Sequence, residues 1–129
     1  MATQYFAPNG YRSGVCLNTD ISSDSIWRYF FEQHSDNITF TQCVFGSNMS
    51  FPEMKKKLKS VSVCTGTNGS DISFDGGRKW YPLAIGMGYN SCEFYSGGVV
   101  FVGNKGAIEF VDFAELGKRF YSAFTSSKS

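Results

Sequence analysis

Asp75–Phe113, DGGRKWYPLAIGMGYNSCEFYSGGVVFVGNKGAIEFVDF, is a series of apolar runs cut by glycine turns. Gly76-Gly77 opens it, Gly97-Gly98 divides it, and Asn104-Lys105-Gly106 closes its last hairpin. Glycine pairs and Asn-x-Gly runs supply the backbone angles that tight turns require, so the apolar runs between them read as short strands of a meander. Val99 and Phe101 before the last turn, and Ile108 and Phe110 after it, are β-favouring side chains. Ala114 to Phe124 follows at once with helical spacing and can lie across the sheet.

Upstream, Ile72 to Phe74 and Val61 to Cys64 read as strands joined by a turn around Asn68-Gly69. Ser50-Phe51-Pro52-Glu53 predicts a helix start: Ser50 caps the N–H of Glu53, Glu53 reaches back, and Pro52 stands where a missing N–H costs nothing. That helix is expected to run to about Ser60, with Met54 and Leu58 inward. Ile38 to Phe45 alternates and is expected to be a strand. Ile26 to Phe31 (IWRYFF) satisfies two periods. As a helix it stacks Ile26 on Phe30 and Trp27 on Phe31; as a strand it puts Trp27, Tyr29 and Phe31 on one face. Its aromatic density favours the strand. Gly14 to Leu17 is a further short strand, preceded by a turn at Pro8-Asn9-Gly10.

A chain of 129 residues suits one domain spanning 1–129 with one core. That core is unusual, with thirteen Phe and seven Tyr, whereas Leu occurs only at positions 17, 58, 83 and 116. Scarce leucine argues against a helical bundle, and the aromatics favour sheet. The expected class is α+β, a central antiparallel β-sheet with helices packed on its faces. A net charge of +1 provides no global field to draw nucleic acid or a membrane surface. The opening residues MATQYFAPNG lack a basic region followed by an apolar run, so no signal peptide is expected there. Cys16, Cys43, Cys64 and Cys92 are widely spaced and include no CxxC pair, which predicts reduced, half-buried thiols. His34 is the single histidine, too few for a zinc site. The glycine turns do not match phosphate-loop spacing, and no cofactor is expected.

Two constellations could carry chemistry. His34 with Cys92 could make a nucleophile pair, against the plainer reading of a loop histidine and a strand cysteine that never meet. The run from Lys55 to Lys59, with Arg78-Lys79-Trp80-Tyr81, could bind phosphates and stack bases, against the default of a solvated lysine face. Asp20, Asp24, Glu32, Glu93, Glu109 and Asp112 do not pair by spacing into an acid/base dyad. On the residues alone, a small binder of nucleic acid or another ligand and a small Cys–His hydrolase both stay open.

Taken together, Phe51 to Phe124 resembles profilin, the family of small actin-monomer-binding proteins. The ordered pieces are the helix start at Ser50–Glu53; the strand, Gly-Gly turn and basic-aromatic strand NGSDISFDGGRKWY at 68–81; SGGVVFV at 96–102; NKGAIEFV at 104–111; and the terminal helix. Ser25-Ile26-Trp27 is similar to the family's early Trp-bearing strand, with Gly14 to Leu17 as its partner. The resemblance implies a cytoplasmic, cytoskeletal, monomeric, non-enzymatic binder of monomeric actin. It implies actin-facing roles for Lys79, Tyr81, Val99, Phe101 and Lys118, with Phe101 as an apolar anchor and the lysines opposite acidic groups. It also implies a groove for proline-rich ligands at Tyr5, Phe6, Trp27 and Tyr121, and phosphoinositide binding through Lys55–Lys59 and Arg78.

Overall fold

The computed structural model describes residues 5–7, 10–12, 14–18, 24–32, 34–35, 38–58 and 60–126. In chain order the elements begin with β1 (Tyr5–Ala7), β2 (Gly10–Arg12), β3 (Gly14–Asn18), α1 (Asp24–Phe31), β4 (His34–Ser35), β5 (Ile38–Thr39), α2 (Phe40–Phe45) and α3 (Phe51–Lys57). They continue with β6 (Val61–Gly66), β7 (Gly69–Ser73), β8 (Tyr81–Leu83), β9 (Tyr89–Tyr95), β10 (Gly98–Gly103), a 3₁₀ turn at Asn104–Gly106, β11 (Ile108–Asp112) and α4 (Phe113–Ser126). The α+β class is as expected, and every strand pairing among the described residues is antiparallel.

The meander does not form one central sheet. It divides into a four-stranded sheet in the order β3-β6-β7-β8 and a three-stranded sheet in the order β11-β10-β9. Pro82 in the middle of β8 has no N–H to offer a further strand, which suits β8 to an edge. After Leu83 the backbone turns to the last helix instead, and the Ala84 N–H donates to the Arg119 carbonyl at 3.1 Å. One ladder crosses the larger sheet: Cys16 is opposite Val63, Val63 opposite Ile72, and Ile72 opposite Tyr81. The second sheet then approaches the first through β9. At Gly14 an added Cβ would lie 2.6 Å from the Asn90 carbonyl oxygen, so only glycine permits this contact.

Two expected strands are helical. In α1, Trp27 and Phe30 are buried while Arg28 and Tyr29 face out, a three-residue stripe that a strand cannot make. Arg28 donates to Glu32 one turn later at 3.0 Å. The run from Ile38 to Phe45 is extended only through Thr39, because Thr39 and Gln42 form a reciprocal capping box. The Thr39 hydroxyl accepts the Gln42 N–H at 3.3 Å, and the Gln42 side chain accepts the Thr39 N–H at 3.1 Å. Gly46 ends α2 in the left-handed region at φ 78°. The Ser50 half of the expected box forms, with the Glu53 N–H donating to its hydroxyl at 3.4 Å, without the return bond from the Glu53 side chain, and α3 stops at Lys57, short of Ser60.

The core is a cluster of aromatic rings between the helices and the larger sheet. Phe74 meets Phe30 at 5.4 Å, Phe40 at 5.0 Å and Phe120 at 5.7 Å, each edge to face. Tyr81 and Tyr121 carry their hydroxyls into this cluster. Tyr121 donates to the Phe30 carbonyl at 2.9 Å, and Tyr81 to the Val44 carbonyl at 3.5 Å. Burial, then the nearby Asp75 and Cys43, push the Tyr81 phenol up from about 10 to about 12, and burial pushes Tyr121 up as well. Folding therefore holds both protons that the unfolded chain would lose first. The stability they contribute is full below about pH 10 and is lost as pH rises through about 12. The melting temperature is expected to stay level to about pH 10 and then fall, less steeply in Tyr81→Phe. A fall of the same slope in that variant would assign the alkaline loss to other groups.

Candidate functional site: the outer face of the small sheet

Register decides which side chains of β9, β10 and β11 reach solvent. Val99 lies opposite Phe94 and Val111, and Phe101 opposite Cys92 and Glu109. That parity faces the core, and Val99 and Phe101 are both 0% exposed. The other parity faces out: Val100 lies opposite Phe110 and Glu93, and Val102 opposite Ile108 and Ser91. Phe110 is 64% exposed, Ile108 57%, Val102 37% and Tyr95 37%. The Tyr95 and Phe110 rings meet edge to face at 5.5 Å. Gly98, paired with Tyr95 on one side and Asp112 on the other, adds no side chain to this part of the sheet.

Below this sheet a polar network ties the strands to the terminal helix. The Tyr89 hydroxyl donates to Glu109 at 2.8 Å, which raises the Tyr89 pKa, and Arg119 stands 3.6 Å from the same carboxylate. Arg119 also donates to Glu115 at 2.9 Å and to the Ala84 carbonyl at 2.8 Å. One guanidinium thus joins β11, α4 and the chain after β8, and it braces the exposed face from behind.

Of the residues expected to face actin, Lys79 and Lys118 are exposed, whereas Tyr81, Val99 and Phe101 are core side chains. Phe101 is closed to solvent, and the side chains that reach the surface lie one residue away in register, at Val102, Ile108 and Phe110. The two lysines line separate hollows. Lys118 stands with Arg28, Tyr29, Glu32 and Ala114 in an open cavity of about 270 Å³ between α1 and α4. Lys79 lies 5.2 Å over the Tyr81 ring, beside a hollow of about 110 Å³ that Lys57 also lines.

The expected proline groove is filled by the fold itself. Trp27 is 1% exposed and Tyr121 3%, so neither ring has an open face for a ligand. The side chains of Tyr5 and Phe6 lie outside the described residues. In the lysine run, Lys56 and Lys57 are exposed on α3, and Lys59 lies outside the described residues. Trp80 and Tyr81, the rings that would stack on bases, are 8% and 6% exposed.

Only the cysteine half of the Cys–His pair lies among the described side chains. Cys92 lies 3.0 Å from Cys16 and 3.4 Å from the Val63 carbonyl, and the His34 side chain lies outside the described residues. The Cys16 sulfur and burial push the Cys92 thiol up, away from the thiolate that nucleophilic attack needs. Among the described residues no three His, Cys, Asp or Glu side chains converge as a metal site. No helix among them is long and apolar enough to cross a membrane. No protein-family model, curated protein or solved structure matches the chain.

Proposed function

We propose that this chain is a non-catalytic protein-binding module, that its docking surface is the outer face of the β9–β10–β11 sheet, and that its partner is monomeric actin. The exposed apolar set of Phe110, Ile108, Val102 and Tyr95 carries the first part. Side chains of this kind grouped on one sheet face mark interaction sites in soluble domains. The identity of the partner rests on the ordered likeness of Phe51 to Phe124 to profilin, in which the later strands meet actin. A cytoplasmic, cytoskeletal setting follows from that partner. The same likeness extends to proline-rich ligands and phosphoinositides, but the buried Trp27 and Tyr121 lend the proline reading no support, and only the exposed Lys56, Lys57 and Arg78 favour the phosphoinositide one.

The test is titration of the purified chain with labelled monomeric actin. Phe110→Asp is expected to weaken binding about 100-fold, in the range of an interface hot spot, with an unchanged melting temperature because the ring is 64% exposed. Lys79→Glu with Lys118→Glu is expected to weaken binding several-fold at low salt, chiefly through a slower association rate. Wild-type protein that leaves actin unbound rejects the partner. Full affinity in Phe110→Asp moves the docking surface off this face.

A further inference from the structure

The place where the two sheets touch is also the place where two thiols meet. Cys16 on β3 and Cys92 on β9 bring their sulfurs to 3.0 Å across 76 residues of chain. Both are half-buried and free. No strand ladder joins β3 to β9, so this contact lies between sheets and not within one. The backbones are already held close by Gly14, whose missing side chain lets Asn90 approach. A disulfide has a sulfur–sulfur bond of about 2 Å, so closure asks the two sulfurs to approach by about 1 Å.

We propose that Cys16 and Cys92 are a reversible redox modification site, closed to a disulfide by exchange with a small disulfide such as oxidised glutathione. Cys16 loses its proton and attacks one glutathione sulfur, breaking the glutathione disulfide and releasing the first glutathione thiolate. Cys92 then loses its proton and attacks Cys16 in the mixed disulfide, forming the intramolecular bond and expelling the second glutathione thiolate. The two thiol protons end on the two glutathione molecules. The protein pair is oxidised by two electrons, and the glutathione disulfide is reduced by the same two. Cys16 acts first because the Cys92 S–H has acceptors in both Cys16 and the Val63 carbonyl and is held protonated.

The bond would tie the small sheet to the four-stranded one from behind. Cys92 belongs to the inward parity, opposite Phe101, so the outer face keeps its side chains. Closing the bond therefore does not depend on which partner the outer face takes.

The test treats the purified full chain with oxidised glutathione and maps its peptides without reduction. A Cys16–Cys92 linkage is expected, with a protein mass lower by two hydrogen atoms. The loop so closed is long, and the melting temperature is expected to rise by roughly 10 °C and to return when dithiothreitol is added. Cys43→Ser keeps both effects, whereas Cys16→Ser and Cys92→Ser each lose them. Four unchanged thiols, stable glutathione adducts on both residues, or a linkage to Cys43 or Cys64 instead would each overturn the assignment. So would an oxidised form that melts no higher than the reduced one.

Discussion

Phe120→Ala is expected to lower stability by about 3–5 kcal/mol, the range for removing a large buried ring. Phe120 is 0% exposed, and its ring meets Phe40, Phe74 and Tyr81 at 5.7 Å, Tyr121 at 5.3 Å and Phe124 at 6.0 Å. Those partners belong to α2, the β7–β8 connection, β8 and α4, so the cavity would open where four parts of the chain converge. Edge-to-face partners cannot follow a shrinking neighbour without losing their own geometry, which limits collapse of the hole. A domain of this size holds about 5–15 kcal/mol in total, and the variant would stand near the edge of folding. Urea denaturation gives the value, and Phe120→Leu should recover part of it. A loss under about 1 kcal/mol would mean that α4 can slide inward and refill the site.

Gly98→Ala is expected to cost about 3 kcal/mol or more, although it adds one methyl group. The added Cβ would lie 2.2 Å from the Val111 carbonyl oxygen and 2.6 Å from the Asp112 Cα. Both are backbone atoms of the neighbouring strand, held in register with β10, and cannot step aside as a flexible side chain can. The strain has to be relieved by opening the end of the β10–β11 ladder. Hydrogen exchange reads this directly: amides of β10 and β11 should lose protection while β6 and β7 keep theirs. The variant should also weaken the proposed docking face, because β10 and β11 carry Val102, Ile108 and Phe110. Equal protection in both sheets of the variant would show that the smaller sheet absorbs the methyl group.

The strands flanking glycine turns were legible in the sequence, as were the Ser50 helix cap and the terminal helix, because each carries a local signal. The two missed helices differ in kind. IWRYFF is aromatic on every side, so neither period stands out until Trp27 and Phe30 find the core. TFTQCVFG did hold a readable signal, the Thr39–Gln42 box followed by Gly46, but alternating apolar residues outweighed it. Pro82 was likewise visible as an edge marker, and with it the division into two sheets. The docking face was legible only in part. GVVFVG is apolar in both parities, so the sequence names the strand without saying which side is wet, and a shift of one residue exchanges Val99 and Phe101 for Val100 and Val102. The burial of Trp27 and Tyr121 depends on long-range packing that no local pattern encodes.

The meeting of β3 with β9 also sets a timetable for a chain made from its N-terminus. The β6–β7 hairpin and the β9–β10–β11 meander close over short distances and can form as soon as they are synthesised. β3 has no such local partner: it pairs with β6 and touches β9, and the Cys16–Cys92 contact spans 76 residues. At ordinary rates of translation, Cys92 is made roughly 4–15 s after Cys16. β3 can gain its ladder once β6 is made, but through the rest of that interval the Cys16 thiol still lacks the strand that carries its partner sulfur.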